Sequence, residues 1–458
     1  MTDQGNKKDR IRKMKVMTTF GQGRWDQKFE QTVCFTERDR ENQVVNLYPE
    51  ITYETFEGFG GAITQGAGYV YSQMPESEKK ALMEAYFSPE RMHYQFVRIP
   101  IDSCDFSTGQ YQAVSDPEDT AFETFDFEMP ERYILPMLRD AEKAAGKRLP
   151  IMLSPWSPPV FMKTNDTREQ GGKLRPECYG LWAEYLCRYI EEYRKRGFLV
   201  KRLTLQNEPK AVQTWDSCIY TAQEEKVFLR DHMRPAMEKH GLTDIEVFIW
   251  DHNKERVYEW MRDILDEETD KMIAGAAFHW YSGDHFEALE LCRRLYPDKK
   301  LVISESCIEL SKFDGDDAIG SAMRLGHEII GDMNHGMTAF YDWNLLVNEI
   351  GGPNYVGNYV LAPFMYDRQN QKLMPQLIAG YFEHFSHYIQ PGAVRIASTK
   401  FSEQVDAVAW KGPDENIVLI ILNKSGENQP VVVRMDDREA AAVLYPMSIT
   451  TCLIEGGN

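Results

Sequence analysis

Two glutamates follow short apolar runs in the same way: Leu203–Gln206 leads into Asn207-Glu208-Pro209, and Leu301–Ser304 leads into Glu305-Ser306. A pair of carboxylates is the equipment for breaking an acetal bond. One carboxylic acid protonates the departing oxygen, while a carboxylate about 5–5.5 Å away attacks the carbon from the opposite side. Either glutamate alone reads as a solvated loop charge. Two of them converging on one pocket would be a catalytic pair, so the fold that carries them decides the matter.

Between about residue 55 and residue 380, short apolar runs alternate with longer stretches of helical spacing, the pattern of βα units laying down a parallel sheet. The predicted strands are Gly58–Ile63, Phe96–Ile99, Ile151–Ser154, Leu203–Gln206, Val247–Trp250, Ala274–His279, Leu301–Ser304 and Met337–Tyr341. Ser77–Tyr86, Pro130–Ala145, Tyr179–Arg196, Thr221–His240 and Phe286–Tyr296 carry apolar residues three and four apart and predict outer helices. Eight such strands predict a closed (β/α)₈ TIM barrel, whose functional groups sit at the C-terminal ends of the strands. Glu208 after the fourth strand and Glu305 after the seventh then converge.

The ends of the chain differ in character. Val44–Leu47, Val405–Trp410, Ile417–Leu422 and Val431–Arg434 are alternating or β-branched runs separated by turn residues, with no helices between them. They predict a smaller antiparallel β-sandwich assembled from both termini. The expected division is 1–54 and 385–458 for the sandwich and 55–384 for the barrel.

The motifs at the predicted strand ends resemble glycoside hydrolase family 30, which includes glucosylceramidases, β-glucosidases, β-xylosidases and β-1,6-glucanases. The resemblance runs through Phe56-Glu57-Gly58-Phe59-Gly60-Gly61-Ala62, Arg98-Ile99-Pro100, Ser103-Cys104-Asp105-Phe106-Ser107 and Ser154-Pro155-Trp156-Ser157-Pro158-Pro159. It continues through Asn207-Glu208-Pro209, His279-Trp280-Tyr281, Glu305, Asp342-Trp343-Asn344 and Gly351-Gly352-Pro353-Asn354, covering about residues 55–390. It implies Glu208 as general acid/base and Glu305 as nucleophile of a retaining β-glycosidase, most simply an exo-acting β-glucosidase of glucosylceramidase type. Asp105, Trp156, Trp343 and Asn354 match sugar-binding positions, and Asn207 matches the residue that bonds the sugar 2-hydroxyl. Tyr281 and Arg98 match residues that hold the nucleophile, with His279 in support. Gln65 departs from the family, where members related to glucosylceramidase often carry an aspartate, so a charge-dependent role is not expected there. An endo-β-1,6-glucanase or a β-xylosidase is the alternative within the same chemistry. A non-catalytic carbohydrate-binding barrel is the alternative outside it, and retention of both glutamates speaks against it.

Composition narrows the partners. With 43% hydrophobic and 12% aromatic residues the chain has the material for a large core, which excludes a disordered protein. A formal net charge of −19 opposes binding to nucleic acid or an anionic membrane, and a neutral β-linked glycoside or oligosaccharide suits it better. The longest aliphatic run, Ile417–Leu422, is far short of the roughly 20 residues of a membrane span. The polar, basic Met1–Lys15 lacks the apolar run of a signal peptide, which predicts a cytoplasmic location. Eight cysteines without a Cys-x-x-Cys pair read as free thiols. His279 invites grouping with Asp284 and His285, yet no established metal-ligand spacing is present. The family resemblance likewise implies no metal and no cofactor.

Overall fold

All eight predicted barrel strands are present in the computed structural model, which describes residues 12–21 and 24–456. They are β1 (Gly58–Ala62), β2 (Phe96–Ile101), β3 (Pro150–Pro155), β4 (Leu199–Thr204), β5 (Glu246–Asn253), β6 (Gly275–His279), β7 (Lys300–Glu305) and β8 (Met337–Asp342). Each pairs in parallel with the next, and β8 pairs with β1 to close the barrel. Most of the basic stretch Met1–Lys15 lies outside the described residues.

The barrel interior is packed. Phe96, Met152, Phe248, Ala277, Val302, Ala339 and Tyr341 form one buried cluster contributed by six of the strands. β1 supplies space rather than bulk there: a Cβ on Gly60 would lie 2.3 Å from the Phe96 ring. β4 begins earlier than its apolar residues suggest because Lys201 and Arg202 interrupt the run. Arg202 is nonetheless buried, bonding the Tyr341 hydroxyl at 3.0 Å and pairing with Glu246 at 3.1 Å while lying over Phe96 and Phe248. Such a residue looks like loop in a sequence and is core in the fold.

Two of the predicted outer helices contain prolines, and each is broken in the same way. A π-helical turn, Pro130–Ile134 or Leu229–Met233, precedes the α-helical segment whose second residue is Pro136 or Pro235. Proline offers no N–H and crowds the carbonyl four residues back, and the wider turn relieves that clash.

The second unit is a nine-stranded sheet in the order Phe29–Cys34, Lys13–Phe20, Ser448–Ile454, Ile417–Asn423, Val405–Lys411, Val394–Ser398, Val44–Thr55, Gln429–Met435, Arg438–Leu444. It folds back on itself, with a bridge between Thr36 and Glu439 joining its two ends. Met14, Val16, Val45, Leu47, Leu419, Ile421, Val431 and Val433 are among the side chains buried between the two halves. The sandwich from both termini is therefore as predicted, but it is not antiparallel throughout. Val44–Thr55 and Gln429–Met435 pair in parallel, which two strands from opposite ends of the chain are free to do because no hairpin joins them.

Helices Ala318–Asn334 and Leu377–Ser386 belong to this unit as well: among the described residues it takes in those up to Glu57, 318–334 and those from Leu377 onward, leaving 58–317 and 335–376 to the barrel unit. Ala318–Asn334 packs on Val405–Lys411 and Ile417–Asn423. With the sandwich core on one face and a helix on the other, Ile417–Asn423 is buried at every position, hence its unbroken apolar run. His384 ties the second helix to the sheet through Thr451 at 2.7 Å and Thr19 at 2.9 Å.

Candidate active site

The hydrogen-bond ladder of the barrel runs on past the strand ends into the turns that carry polar residues. Ile63 N–H donates to the Arg98 carbonyl, Asn207 N–H to Pro155, Glu208 N–H to Asp251 and Trp343 N–H to Ser306. The turn after β8 is further fixed by the Thr64 hydroxyl, which accepts from Ala67 N–H as a helix N-cap and donates to Asn344 at 2.7 Å. Asp102, Glu208, Trp250, Asp251 and Asn344, all at this end of the barrel, have φ between +48° and +74°. Left-handed backbone at non-glycine residues costs on the order of 1–3 kcal/mol each and collects where function dictates geometry.

Arg98 is the centre of the constellation. Fully buried on β2, it donates Nε to Ser154 at 3.0 Å, Nη1 to Glu305 at 2.7 Å, and Nη2 to Asn207 at 2.9 Å and Asp251 at 2.8 Å. Its guanidinium also lies beneath Trp156 and Trp343, whose rings stack 5.3 Å apart. One cation therefore balances two buried carboxylates and orients an amide and two indoles. Glu305 receives a second hydrogen bond from the Tyr281 hydroxyl at 3.0 Å. Burial pushes the Glu305 carboxyl above the usual range, and His279 and Arg98 pull against that rise.

Glu208 stands beside two imidazoles. Its Oε1 lies 3.5 Å from His279 Nδ1 and 3.6 Å from His252 Nδ1, and its Oε2 accepts from Gln213 at 3.2 Å. His279 Nε2 is held by Asp251 at 3.1 Å. Burial opposes a charge on His279, but Glu305, Asp251 and Glu208 together raise its pKa to about 9. Burial likewise pushes Glu208 up, and His279 with His252 outweighs it, holding the carboxyl down to about 2. The approach of His279 Nδ1 to Glu208 Oε1 makes the two groups a pair between which a proton can pass.

Asp105, Phe106, Trp156, Asn207, Glu208, Tyr281, Glu305 and Trp343 line one cavity of about 140 Å³. Asn354 is joined to it through a 2.9 Å bond from its amide to Asp105. Burial and the charge of Glu305 raise the Asp105 carboxyl well above the usual range. Donors from a bound ligand would counter that by favouring the anion. Gln65 lies outside the cavity lining. Its amide nitrogen donates to Thr108 Oγ1 at 3.2 Å and its oxygen accepts from Thr108 N–H at 2.7 Å, so it pins the Asp105 loop with a donor and an acceptor. A carboxylate could not do both.

The ten residues singled out from the sequence thus fall in one constellation. Those that escaped notice are Asp251, which also accepts from Thr204 and Ser304, and His252, Asn253, Gln213 and Trp215, whereas Cys307, Glu309 and Lys312 belong to the segment Cys307–Gly320 after Glu305, expected from the sequence to form part of the aglycone rim. Asp251-His252-Asn253 directly follow the predicted strand Val247–Trp250, and the strand-end rule applied there would have found them. The grouping of His279 with Asp284 and His285 does not form: both lie in an exposed turn, and the donors gathered around His279 are Glu208 and His252.

Residues 56–389 match the Glycosyl hydrolase family 30 TIM-barrel domain, and residues 392–452 the Glycosyl hydrolase family 30 beta sandwich domain. Lysosomal acid glucosylceramidase of Mus musculus is 29% identical over 413 residues, 86% of this chain and 80% of the mouse protein. An endo-1,6-beta-D-glucanase of Neurospora crassa is 22% identical, over 88% of this chain and 85% of that protein. The crystal structure of SrfJ from Salmonella typhimurium superposes with a TM-score of 0.94 at 36% identity, covering 97% of this chain and all of SrfJ.

Proposed function

The chain belongs to glycoside hydrolase family 30 and is a glycosidase, and from that premise we propose that it is a retaining, exo-acting β-glucosidase with Glu305 as nucleophile and Glu208 as acid/base. The observation that carries the role assignment is the asymmetry of the two glutamates' partners. Glu305 is gripped by Arg98 and Tyr281, both of which donate to a carboxylate and hold it toward the anomeric carbon. Glu208 instead stands 3.5 Å from His279, a partner with which it can share a proton. As the glycosidic bond breaks, Glu305 forms an ester with the anomeric carbon, and the leaving oxygen takes its proton from Glu208, which is resupplied by His279 Nδ1. One negative and one positive charge then disappear from a buried site together, so little uncompensated charge is left in low dielectric. Water attacks next, Glu208 and His279 accept its proton, and Glu305 departs as the carboxylate.

Exo action is supported by the form of the cavity. Its volume of about 140 Å³ is below the ~300–1,000 Å³ of sites for drug-sized ligands, which suits one terminal ring. The buried Asp105–Asn354 pair and the stacked Trp156 and Trp343 provide hydroxyl partners and an apolar wall for that ring. The more exposed part of the lining, Gln213, Trp215, Asn253, Glu309, Lys312 and Asn358, is polar with a single indole. That favours a hydroxylated aglycone, such as a second sugar, over an acyl chain, and it is the feature that keeps an endo-β-1,6-glucanase as the second reading.

Kinetics on aryl β-glucoside, aryl β-xyloside, β-1,6-linked gluco-oligosaccharides and glucosylceramide test this. The highest kcat/KM is expected on glucosides, with glucose released one unit at a time from the oligosaccharides. Early appearance of internal fragments would establish the endo reading, and a preference for xyloside would move the assignment to a β-xylosidase. Asp105→Asn removes a charged acceptor for sugar hydroxyls, so each hydrogen bond lost should cost about 1.5–3 kcal/mol of transition-state binding, a fall of roughly ten- to a hundredfold in kcat/KM. Unchanged kcat/KM on every active glycoside would put Asp105 outside the sugar site.

A further inference from the structure

Glu208, His252 and His279 make the only cluster of three metal-capable side chains among the described residues, with their donor atoms all within 4.8 Å of one another. Two features separate it from an incidental grouping. His252 Nδ1 and His279 Nδ1 are both buried without a hydrogen-bond partner of ordinary length, and each is the ring nitrogen closest to Glu208 Oε1. The far nitrogen of His279 is anchored by the Asp251 carboxylate, an arrangement that fixes an imidazole's orientation and makes its free nitrogen a better ligand.

We propose that Glu208 Oε1, His252 Nδ1 and His279 Nδ1 bind a divalent transition-metal cation of the zinc class, and that this cation inhibits the enzyme by occupying its acid/base group. Tetrahedral zinc with bonds of ~2.0–2.2 Å sets its ligand atoms roughly 3.3–3.5 Å apart. The 3.5 and 3.6 Å separations about Glu208 need to contract by only a few tenths of an ångström, while the two imidazole nitrogens, within 4.8 Å of each other, close the rest by small ring rotations. The cation takes the Nδ1 lone pair of each imidazole, and water from the cavity that Glu208 and His252 line completes its shell. Two imidazoles and one carboxylate select zinc, copper or nickel over magnesium or calcium, which demand oxygen ligands. The inhibitory half of the proposal rests on Glu208 as acid/base; the binding half does not.

The test is calorimetric titration of ZnCl₂ into the purified full chain in a non-chelating buffer, alongside inhibition of aryl β-glucoside hydrolysis. His252→Ala should weaken the site on the order of tenfold or more by deleting one ligand. The same change should raise the zinc concentration needed for half-inhibition of whatever activity that variant retains. His285→Ala, on an exposed turn, should leave zinc affinity as it is. So should Cys307→Ser, whose thiol lines the same cavity 3.3 Å from the Tyr281 hydroxyl. MgCl₂ at equal concentration should not inhibit, and a chelator should restore activity. Thermal melts with and without zinc supply a readout independent of turnover: the zinc-induced shift should shrink in His252→Ala. Equal zinc affinity in wild type and His252→Ala, or loss of the site with Cys307→Ser, overturns the site. Binding that depends on His252 yet leaves turnover unaffected overturns the inhibitory half, and with it the acid/base role of Glu208.

Discussion

Glu305→Gln should abolish turnover on every glycoside, by several orders of magnitude in kcat, with little change in thermal stability. An amide cannot act as the anionic nucleophile that forms the glycosyl-enzyme. The fold should tolerate the change because glutamine fills the same volume and Arg98 keeps Asp251 as a buried counter-charge at 2.8 Å. Loss of activity with a normal melting curve therefore separates chemistry from folding. Retention of more than about a tenth of wild-type kcat, or labelling of another residue by a mechanism-based fluoro-sugar, would show that the nucleophile is elsewhere.

Glu208→Ala should produce a loss that depends on the leaving group. Phenols that are already good leaving groups need little proton assistance, so activated aryl glucosides should still glycosylate Glu305, while alkyl glucosides and oligosaccharides should stall. Water then lacks its base, and the intermediate should accumulate. Azide needs no deprotonation, so adding it should restore turnover and yield the β-glucosyl azide, the product of two inversions. An α-azide would mean that the two glutamates have been assigned the wrong way round. Equal loss for all leaving groups with no azide rescue would leave Glu208 a structural or binding role. His279 remains anchored to Asp251 in this variant, so the cavity should keep its shape.

Strand periodicity exposed the barrel because parallel strands covered on both faces are apolar throughout, and the strand-end rule then located Glu208 and Glu305. What escaped the sequence did so for identifiable reasons. Arg202 obscured the start of β4 because a buried arginine and a surface arginine are the same letter. Lys13–Phe20, with lysines at two of its first three positions, was hidden within a stretch whose charge dominated, although Met14 and Val16 face the sandwich core. Asp251 was missed because its importance lies in its partners: Arg98, Thr204, His279 and Ser304 are brought together from four other strands. Helices Ala318–Asn334 and Leu377–Ser386 fall between or after barrel strands in sequence order, and nothing in their apolar spacing tells which sheet they cover.

The strand order of the nine-stranded sheet also constrains how the protein is made. Lys13–Phe20 pairs on one side with Phe29–Cys34, its near neighbour in the chain, and on the other with Ser448–Ile454. During synthesis the early strand must wait until more than four hundred further residues have left the ribosome before that second edge can be covered. Val44–Thr55 waits almost as long for Val394–Ser398 and Gln429–Met435. Closing such distant pairings is slow, and an apolar strand edge left open in the meantime invites association with other chains. Nascent chains halted before residue 448 should therefore be captured by holding chaperones through these early strands, and release should coincide with emergence of the late ones.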